Sequence, residues 1–417
     1  MLALIDGNSF YCSCERAFDP KLKRKPVVVL SNNDGCAIAR TQEAKDLGIK
    51  MGEPYHLAKR RPGLEDVVWK SSNYVLYGDM SRRMYEVLTD LVPEVEPYSI
   101  DEMFLDVSGM NGVENHAIAI RAAVLKATKI PTCVGIGPTK TIAKLANAIA
   151  KKQRGGNGVC DLSDERQRNR LYETLPAEMV WGLGPAAVRK LASVNVTTII
   201  EFLALSDDEI RKHLSVVGLR TAWELRGTMC LPFSLAPATR KSLAVTRSFG
   251  RSVETWDEMQ QALASYATRA AEKLRRHGLV ATAMQVFLQT NRFSKVDPQY
   301  VNQSSFGIEP TADTFALIAS ATRAGARIWR QGYRYAKAGV ILLDLVPQQQ
   351  LSAQLVPSID PVRSAKVMRA MDTINMRFGR NTVRPAALAA PPRWSMRRSN
   401  VSPRYTTDLD ELFTARA

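Results

Sequence analysis

The segment Leu2–Glu15, LALIDGNSFYCSCE, drives a short apolar run into a carboxylate, Asp6, then turns through small residues to an aromatic pair, Phe10 and Tyr11. A strand has no structural need of an acid at its end. A second stretch, Glu94–Val107 (EVEPYSIDEMFLDV), sets Asp101 and Glu102 between two strand-like runs. Neighbours on a regular strand point to opposite faces, but at a tight hairpin turn both can lean one way. With that hairpin beside the first strand, Asp6 meets Asp101 and Glu102 at one sheet edge. Three carboxylates that close repel unless cations lie among them. Hard oxygen donors favour magnesium, and two such ions are the usual apparatus of in-line phosphoryl displacement. Solvated loop acids are the alternative, and two acidic motifs each ending an apolar strand argue against it.

At 417 residues the chain is long enough for two to four domains, and its 45% hydrophobic content is that of a folded protein. No apolar run reaches membrane length, and Asp6 interrupts the N-terminus where a signal peptide needs a long apolar region. The expectation is a cytoplasmic protein. Of six cysteines only Cys12 and Cys14 are close, so they read as buried thiols rather than a zinc site. The net charge is +16 and unevenly spread. Residues 1–163 carry 22 Lys/Arg against 19 Asp/Glu, and residues 164–239 carry 9 against 9. Residues 240–346 carry 15 against 8, and residues 347–417 carry 11 against 5. A basic second half points to a polyanion, with nucleic acid foremost.

Strand-like runs at Leu2–Ile5, Val27–Leu30 and Cys133–Ile136 alternate with helical patterns near Gly78–Leu91 and Thr139–Lys152, an α/β or α+β arrangement. A helical segment follows over roughly 164–232. Within it Met179–Leu203 has the pattern of a helix-hairpin-helix with Gly182 and Gly184 in the hairpin; Arg189 and Lys190 add charge. Amides at such a helix start can hold a DNA phosphate, which positions a duplex without reading it. VVGLRTAWEL around Gly218 reads as a weaker second copy. Residues 241–346 run strand, helix, strand, strand, helix, strand, which puts both helices on one face of a four-stranded sheet. The tail beyond Pro347 carries one expected helix, Ser364–Phe378.

Ala37–Gly48 (AIARTQEAKDLG) brings Lys45 into the early turns of a helix, and Cys133–Lys151 (CVGIGPTKTIAKLANAIAK) ends in lysine. Lysines from separate segments can neutralise a triphosphate as point charges. The Gly135–Gly137 run is no Walker loop and reads as a tight turn. Two enzyme classes fit the acids: a two-metal 5′-nuclease, which gathers more acids, and a polymerase, which also holds a nucleoside triphosphate. A non-catalytic scaffold is a third reading, opposed by the intact acids.

These motifs in order, together with MDTIN (Met371–Asn375) and SPRYTT (Ser402–Thr407), resemble the Y-family of translesion DNA polymerases, in the branch of the UmuC subunits of bacterial DNA polymerase V and their plasmid-borne relatives. The resemblance implies an α+β multidomain, right-hand fold: a palm (1–10 and 76–163), fingers (11–75), a helix-hairpin-helix thumb (164–232), a linker (233–240), a βαββαβ little finger (241–346) and a partner-binding C-terminal extension (347–417). It implies two Mg2+ ions on Asp6, Asp101 and Glu102, with the Gly7 carbonyl beside them. It makes Tyr11 the steric gate under the incoming sugar, and Lys45 and either Lys151 or Lys152 the triphosphate contacts. Gln42 stands where many relatives have a triphosphate-binding tyrosine. The helix-free face of the little finger is expected along the DNA, with Arg240, Lys241, Arg247, Arg251, Arg292 and Lys295 as contacts. The implied reaction is error-prone deoxynucleotide addition opposite damaged bases in the SOS response. The implied partners are primer-template DNA, dNTP, a processed UmuD-type dimer, the RecA filament and, weakly through Gln354 and Leu355, the sliding clamp.

Overall fold

Strand Leu2–Gly7 is buried along its whole length because it lies in the middle of a five-stranded sheet. It pairs antiparallel with Glu102–Asp106 on one side and Thr132–Gly137 on the other. Val95–Pro97 closes one edge antiparallel, and Val159–Asp161 closes the other parallel to its neighbour. The computed structural model describes residues 1–153, 155–235, 239–350, 360–389 and 391–411. Two compact units divide the chain: Met1–Pro237 with Ser399–Ala417, and Ala238–Arg398.

Both faces of the five-stranded sheet are covered, which is why its central strand reads as an unbroken apolar run. Ala3 and Ile5 pack with Met84 and Leu88 of helix Tyr74–Thr89 and with Ala117, Ile120 and Val124 of helix Val113–Thr128. Leu4 and Phe104 face the other way, against Ala143 of helix Lys140–Lys152. Asp6 continues the Leu4 face by alternation.

Gly135 and Gly137 form no turn, contrary to the sequence expectation; both lie in strand Thr132–Gly137. Their requirement is space. A Cβ on Gly135 would stand 2.1 Å from the Asn147 backbone nitrogen and 2.2 Å from the Ala143 carbonyl oxygen. The glycine lets helix Lys140–Lys152 sit directly on the sheet. Ile142 and Leu145, on the far side of that helix, enter the core of the helical segment with Tyr172, Phe202, Ile210 and Leu225. Around Gly218 the helix Asp207–Leu225 breaks at Ser215, whose φ is +64°. A smaller sheet, Ala37–Arg40, Val27–Leu30 and Val68–Ser71 in that spatial order, completes the first unit's strands.

The second unit has the expected rhythm. Strands Val301–Thr311, Leu279–Thr290, Tyr335–Pro347 and Leu243–Val253 lie in that spatial order, all antiparallel. Helices Trp256–Arg276 and Thr314–Ile328 share one core with the sheet. Residues beyond 347 divide between the units. Helix Pro361–Phe378 is tied to the second by a two-pronged Arg275–Asp372 pair at 2.6 and 2.7 Å, and Trp394 packs there on Phe249. Residues 399–411 belong to the first. Gln354 and Leu355 lie outside the described residues.

Candidate active site

Asp6 stands in register with Glu102 on the neighbouring strand, and the Gly7 N–H donates to the Asp101 carbonyl at 2.8 Å. The backbones of the three acids therefore adjoin, at the ends of two inner strands and not at a sheet edge. Their carboxylates do not converge. Asp6 Oδ2 meets Lys151 Nζ at 2.5 Å, Glu102 meets Lys144 Nζ at 2.8 and 3.0 Å, and Asp101 Oδ1 accepts the Ser99 hydroxyl at 2.7 Å. Among the described residues no three His, Cys, Asp or Glu side chains stand close enough together to hold a metal ion. Each anion instead faces the donor nearest to it.

Burial pushes the Asp6 carboxyl up to about 7; the Lys151 ammonium pulls against that, and the charges of Asp101 and Glu102 push it further up. By residue type, two acids in register with a third one residue away are the hard oxygen donors a divalent cation takes, although their carboxylates here stand apart, each on its own donor. Gly7 itself is required by packing: a Cβ there would come within 2.8 Å of the Phe10 ring.

One face of helix Lys140–Lys152 organises the site. Lys140, Lys144, Asn147 and Lys151 recur at spacings of four, three and four, so they share one stripe. Lys140 Nζ reaches Glu96 at 2.6 Å and the Pro232 carbonyl at 2.9 Å. Lys144 lies over the Tyr98 and Trp181 rings as well as against Glu102. Asn147 Nδ2 donates to the Leu4 and Cys133 carbonyls at 3.3 and 2.8 Å. Each lysine thus meets an acid of the sheet. The Lys140–Glu96 pair is nearly water-free, and removing one partner from such a pair costs about 3–5 kcal/mol. Sequence reasoning missed Lys140, Lys144 and Asn147. Their shared spacing opposite Ile142, Leu145 and Ile149 was the available signal.

Tyr11 and Phe10 do different things. Phe10 is buried in the core beside Gly7. Tyr11, in the first turn of helix Phe10–Phe18, is half-buried, stacks on Tyr77 at 4.6 Å and 18°, and meets Tyr74 edge-on at 5.9 Å. Burial pushes its hydroxyl up to about 12. In the short helix Gln42–Asp46 both Gln42 and Lys45 are exposed, with Gln42 Nε2 donating to Asp46 at 2.8 Å. Lys151 faces Asp6, whereas Lys152 Nζ turns to Met179 Sδ at 3.5 Å.

The chain is similar to known proteins along nearly its whole length. The impB/mucB/samB family matches residues 5–148, and its C-terminal domain matches residues 240–355. A domain of unknown function, DUF4113, matches residues 365–415. Protein UmuC of Salmonella typhimurium is 44% identical over 418 residues, covering 99% of each chain. The chain belongs to the impB/mucB/samB family. Protein SamB of Salmonella typhimurium is 41% identical over the whole of both chains. DNA polymerase IV of Moorella thermoacetica is 27% identical, covering 92% of this chain and 95% of its own. Among solved structures, the Y-family DNA polymerase chimera Dbh-Dpo4(243-245)-Dbh matches with a TM-score of 0.64 at 20% identity, over 83% of this chain and 99% of that one. That likeness shows the fold. This impB/mucB/samB chain is a UmuC-like Y-family translesion DNA polymerase, with the multidomain α+β fold of that family.

The candidate DNA contacts of this family member fall in two groups. In the helical segment Gly182 has φ +97°, Gly184 precedes helix Pro185–Ala192, and Arg189 and Lys190 are exposed in its last turn. A short 3-10 turn, Ala177–Met179, precedes the hairpin. In the second unit two arginines depart from expectation. Arg247 is in register with Ala338, a residue of the helix-side core, so it points to the helix side and not to the open face. Arg251 is paired with Glu258 of helix Trp256–Arg276 and donates to the Arg393 carbonyl at 3.2 Å. Lys241 is exposed ahead of the strand, and Arg292 and Lys295 are exposed on a loop, Arg292 over the Phe293 ring. The open face instead carries Lys337, which lies 5.8 Å from the centre of the Phe287 ring.

Proposed function

We propose that Asp6, Asp101 and Glu102, with the Gly7 carbonyl, hold two Mg2+ ions for deoxynucleotide addition opposite damaged template bases. The observation that carries this is the register pair Asp6–Glu102 with Asp101 bonded to the next residue, Gly7. The family implies dependence on a divalent metal; magnesium and the number of ions are our reading of the oxygen donor set. When bound, the ions supply charge to the phosphoryl oxygens and lower the cost of ionising the primer 3′-hydroxyl. The rest belongs to this chain. Glu102 lies toward the primer terminus and takes part in holding its hydroxyl. That oxygen forms the bond to the α-phosphorus as the bond to pyrophosphate breaks. Lys151 and Lys45 offset the charge on the leaving phosphates, and Gln42 lies beside them on its short helix. Tyr11 lies beneath the sugar and excludes a 2′-hydroxyl by overlap.

We read the right-hand divisions onto the chain as palm (1–10 and 76–163), fingers (11–75), thumb (164–232), linker (233–240) and little finger (241–346). Template-primer DNA runs past the Gly182–Gly184 hairpin with Arg189 and Lys190, and past Lys241 and Arg292. A processed UmuD-type dimer, the RecA filament and the sliding clamp are the proposed protein partners, the clamp through Gln354 and Leu355. Among the described residues no helix is long and apolar enough to cross a membrane, and the proposed setting is the cytoplasmic SOS response.

The test is primer extension on a template bearing an abasic site, with the partner proteins supplied. Insertion opposite the lesion supports the reading. Cleavage of the template strand, or no reaction on damaged and undamaged templates alike, overturns it.

A further inference from the structure

We propose that the C-terminal strap Ser399–Asp408 is a positioning element for Tyr11, acting through Ser402, Glu15 and Tyr77, and so helps set sugar selectivity. The inference rests on Tyr11 lying beneath the incoming sugar, as argued above.

The contacts form one continuous path. Ser402 is almost fully buried, and its hydroxyl donates to Glu15 Oε1 at 3.0 Å. The Tyr77 hydroxyl donates to the same oxygen at 2.7 Å. The Tyr77 ring is the one stacked on Tyr11. Glu15 is itself 1% exposed and sits in the helix that carries Tyr11. An ionised carboxylate there accepts only, so it depends on these two donors. The strap therefore supplies half of the hydroxyl donation that fixes Glu15.

A second path reaches the helix that carries Tyr74 and Tyr77. Asn73 caps that helix, its Oδ1 accepting the Leu76 N–H at 3.3 Å. Its Nδ2 donates to the Ser402 carbonyl, the Ser402 hydroxyl and the Pro403 carbonyl at 3.0, 3.1 and 3.2 Å. The Ser71 N–H donates to the Asn400 carbonyl and the Asn400 N–H to the Ser71 hydroxyl, both at 3.0 Å, and Tyr405 stacks on Phe18 at 4.9 Å and 7° at the far end of the Tyr11 helix. The strap thus clamps both helices whose rings form the tyrosine stack.

The physical consequence is selectivity. Exclusion by overlap works only if the ring cannot retreat, and shifts of about 1 Å in positioned groups carry large rate effects. A strap that holds Glu15 and Asn73 holds the ring behind Tyr11. Sequence gives no hint of it, because Ser402 lies 387 positions from Glu15. It also gives residues 399–408 a part in nucleotide choice, apart from any partner they bind.

The experiment uses the full chain and compares insertion efficiency for deoxy- and ribonucleotides, with a melting curve on each preparation. The variants are Ser402→Ala, Tyr77→Phe, which removes the hydroxyl and keeps the stack, Tyr11→Ala, and Ser402→Ala with Tyr11→Ala. Ser402→Ala and Tyr77→Phe are each expected to lower discrimination about fivefold, ~1 kcal/mol, mainly through faster ribonucleotide insertion. In the Tyr11→Ala background Ser402→Ala is expected to add nothing, because the path then ends nowhere. An unchanged ratio in folded Ser402→Ala and Tyr77→Phe, with Tyr11→Ala relaxed, overturns the strap alone. An equal effect of Ser402→Ala with and without Tyr11 also overturns it. An unchanged ratio in Tyr11→Ala overturns the gate and the strap together.

Discussion

Lys151 Nζ stands 2.5 Å from Asp6 Oδ2, while its neighbour Lys152 turns away to Met179. The two lysines differ by about 100° around the helix, and only one faces the site. Lys151→Ala should therefore raise the KM for dNTP about tenfold or more, and Lys152→Ala about twofold or less, in single-nucleotide insertion; each decade is ~1.4 kcal/mol. A larger effect at Lys152 would reverse the assignment.

Gly135 and Gly78 should respond with opposite signs. A methyl group on Gly135 meets the backbone of helix Lys140–Lys152, which cannot rotate away, so Gly135→Ala should cost about 3 kcal/mol or more. Gly78 is exposed in the middle of helix Tyr74–Thr89, with nothing within 4 Å of a Cβ. Gly78→Ala should gain up to ~1 kcal/mol. Melting temperatures decide, and a Gly135→Ala protein as stable as wild type would mean the helix does not sit on the sheet as described.

Burial holds the Glu15 carboxyl above the usual carboxylate range, against the pull of its bonds from Tyr77 and Ser402. The folded chain thus keeps this proton to higher pH than the unfolded chain. Its contribution to stability is fully present below the unfolded value, 4.5, and is lost as pH rises through the folded one. Glu15→Gln, which keeps an acceptor for both hydroxyls, should therefore melt above wild type at pH 8, with the gap closing toward pH 4. A Gln variant that melts as low as Glu15→Ala at pH 8 would show that the ionised carboxylate is needed there.

The legible parts of this fold were those with a local period or an incongruous residue. Acids set against apolar runs singled out Asp6, Asp101 and Glu102, whose backbones adjoin, and the strand–helix rhythm marked the four-stranded sheet. What was not legible depends on pairings that no local pattern carries. Arg247 is placed by its register with Ala338. Gly135 reads alike in a turn or a strand until the helix above it is known. The lysine stripe looks like a solvated face until Glu96, Glu102 and Asp6 are set beneath it. The strap joins residues at opposite ends of the chain.

The most direct test of the proposed two-metal site is Asp101→Asn, assayed for primer extension and for DNA binding on one preparation. The substitution keeps the shape and the Ser99 contact but removes one of the three charges. Loss of a charge that stabilises the transition state costs rate, not duplex affinity. The expected result is nucleotide addition reduced by about a thousandfold or more, with the gel-shift midpoint for primer-template within twofold of wild type. Synthesis within tenfold of wild type at unchanged DNA affinity would contradict the assignment of Asp101 to the catalytic site.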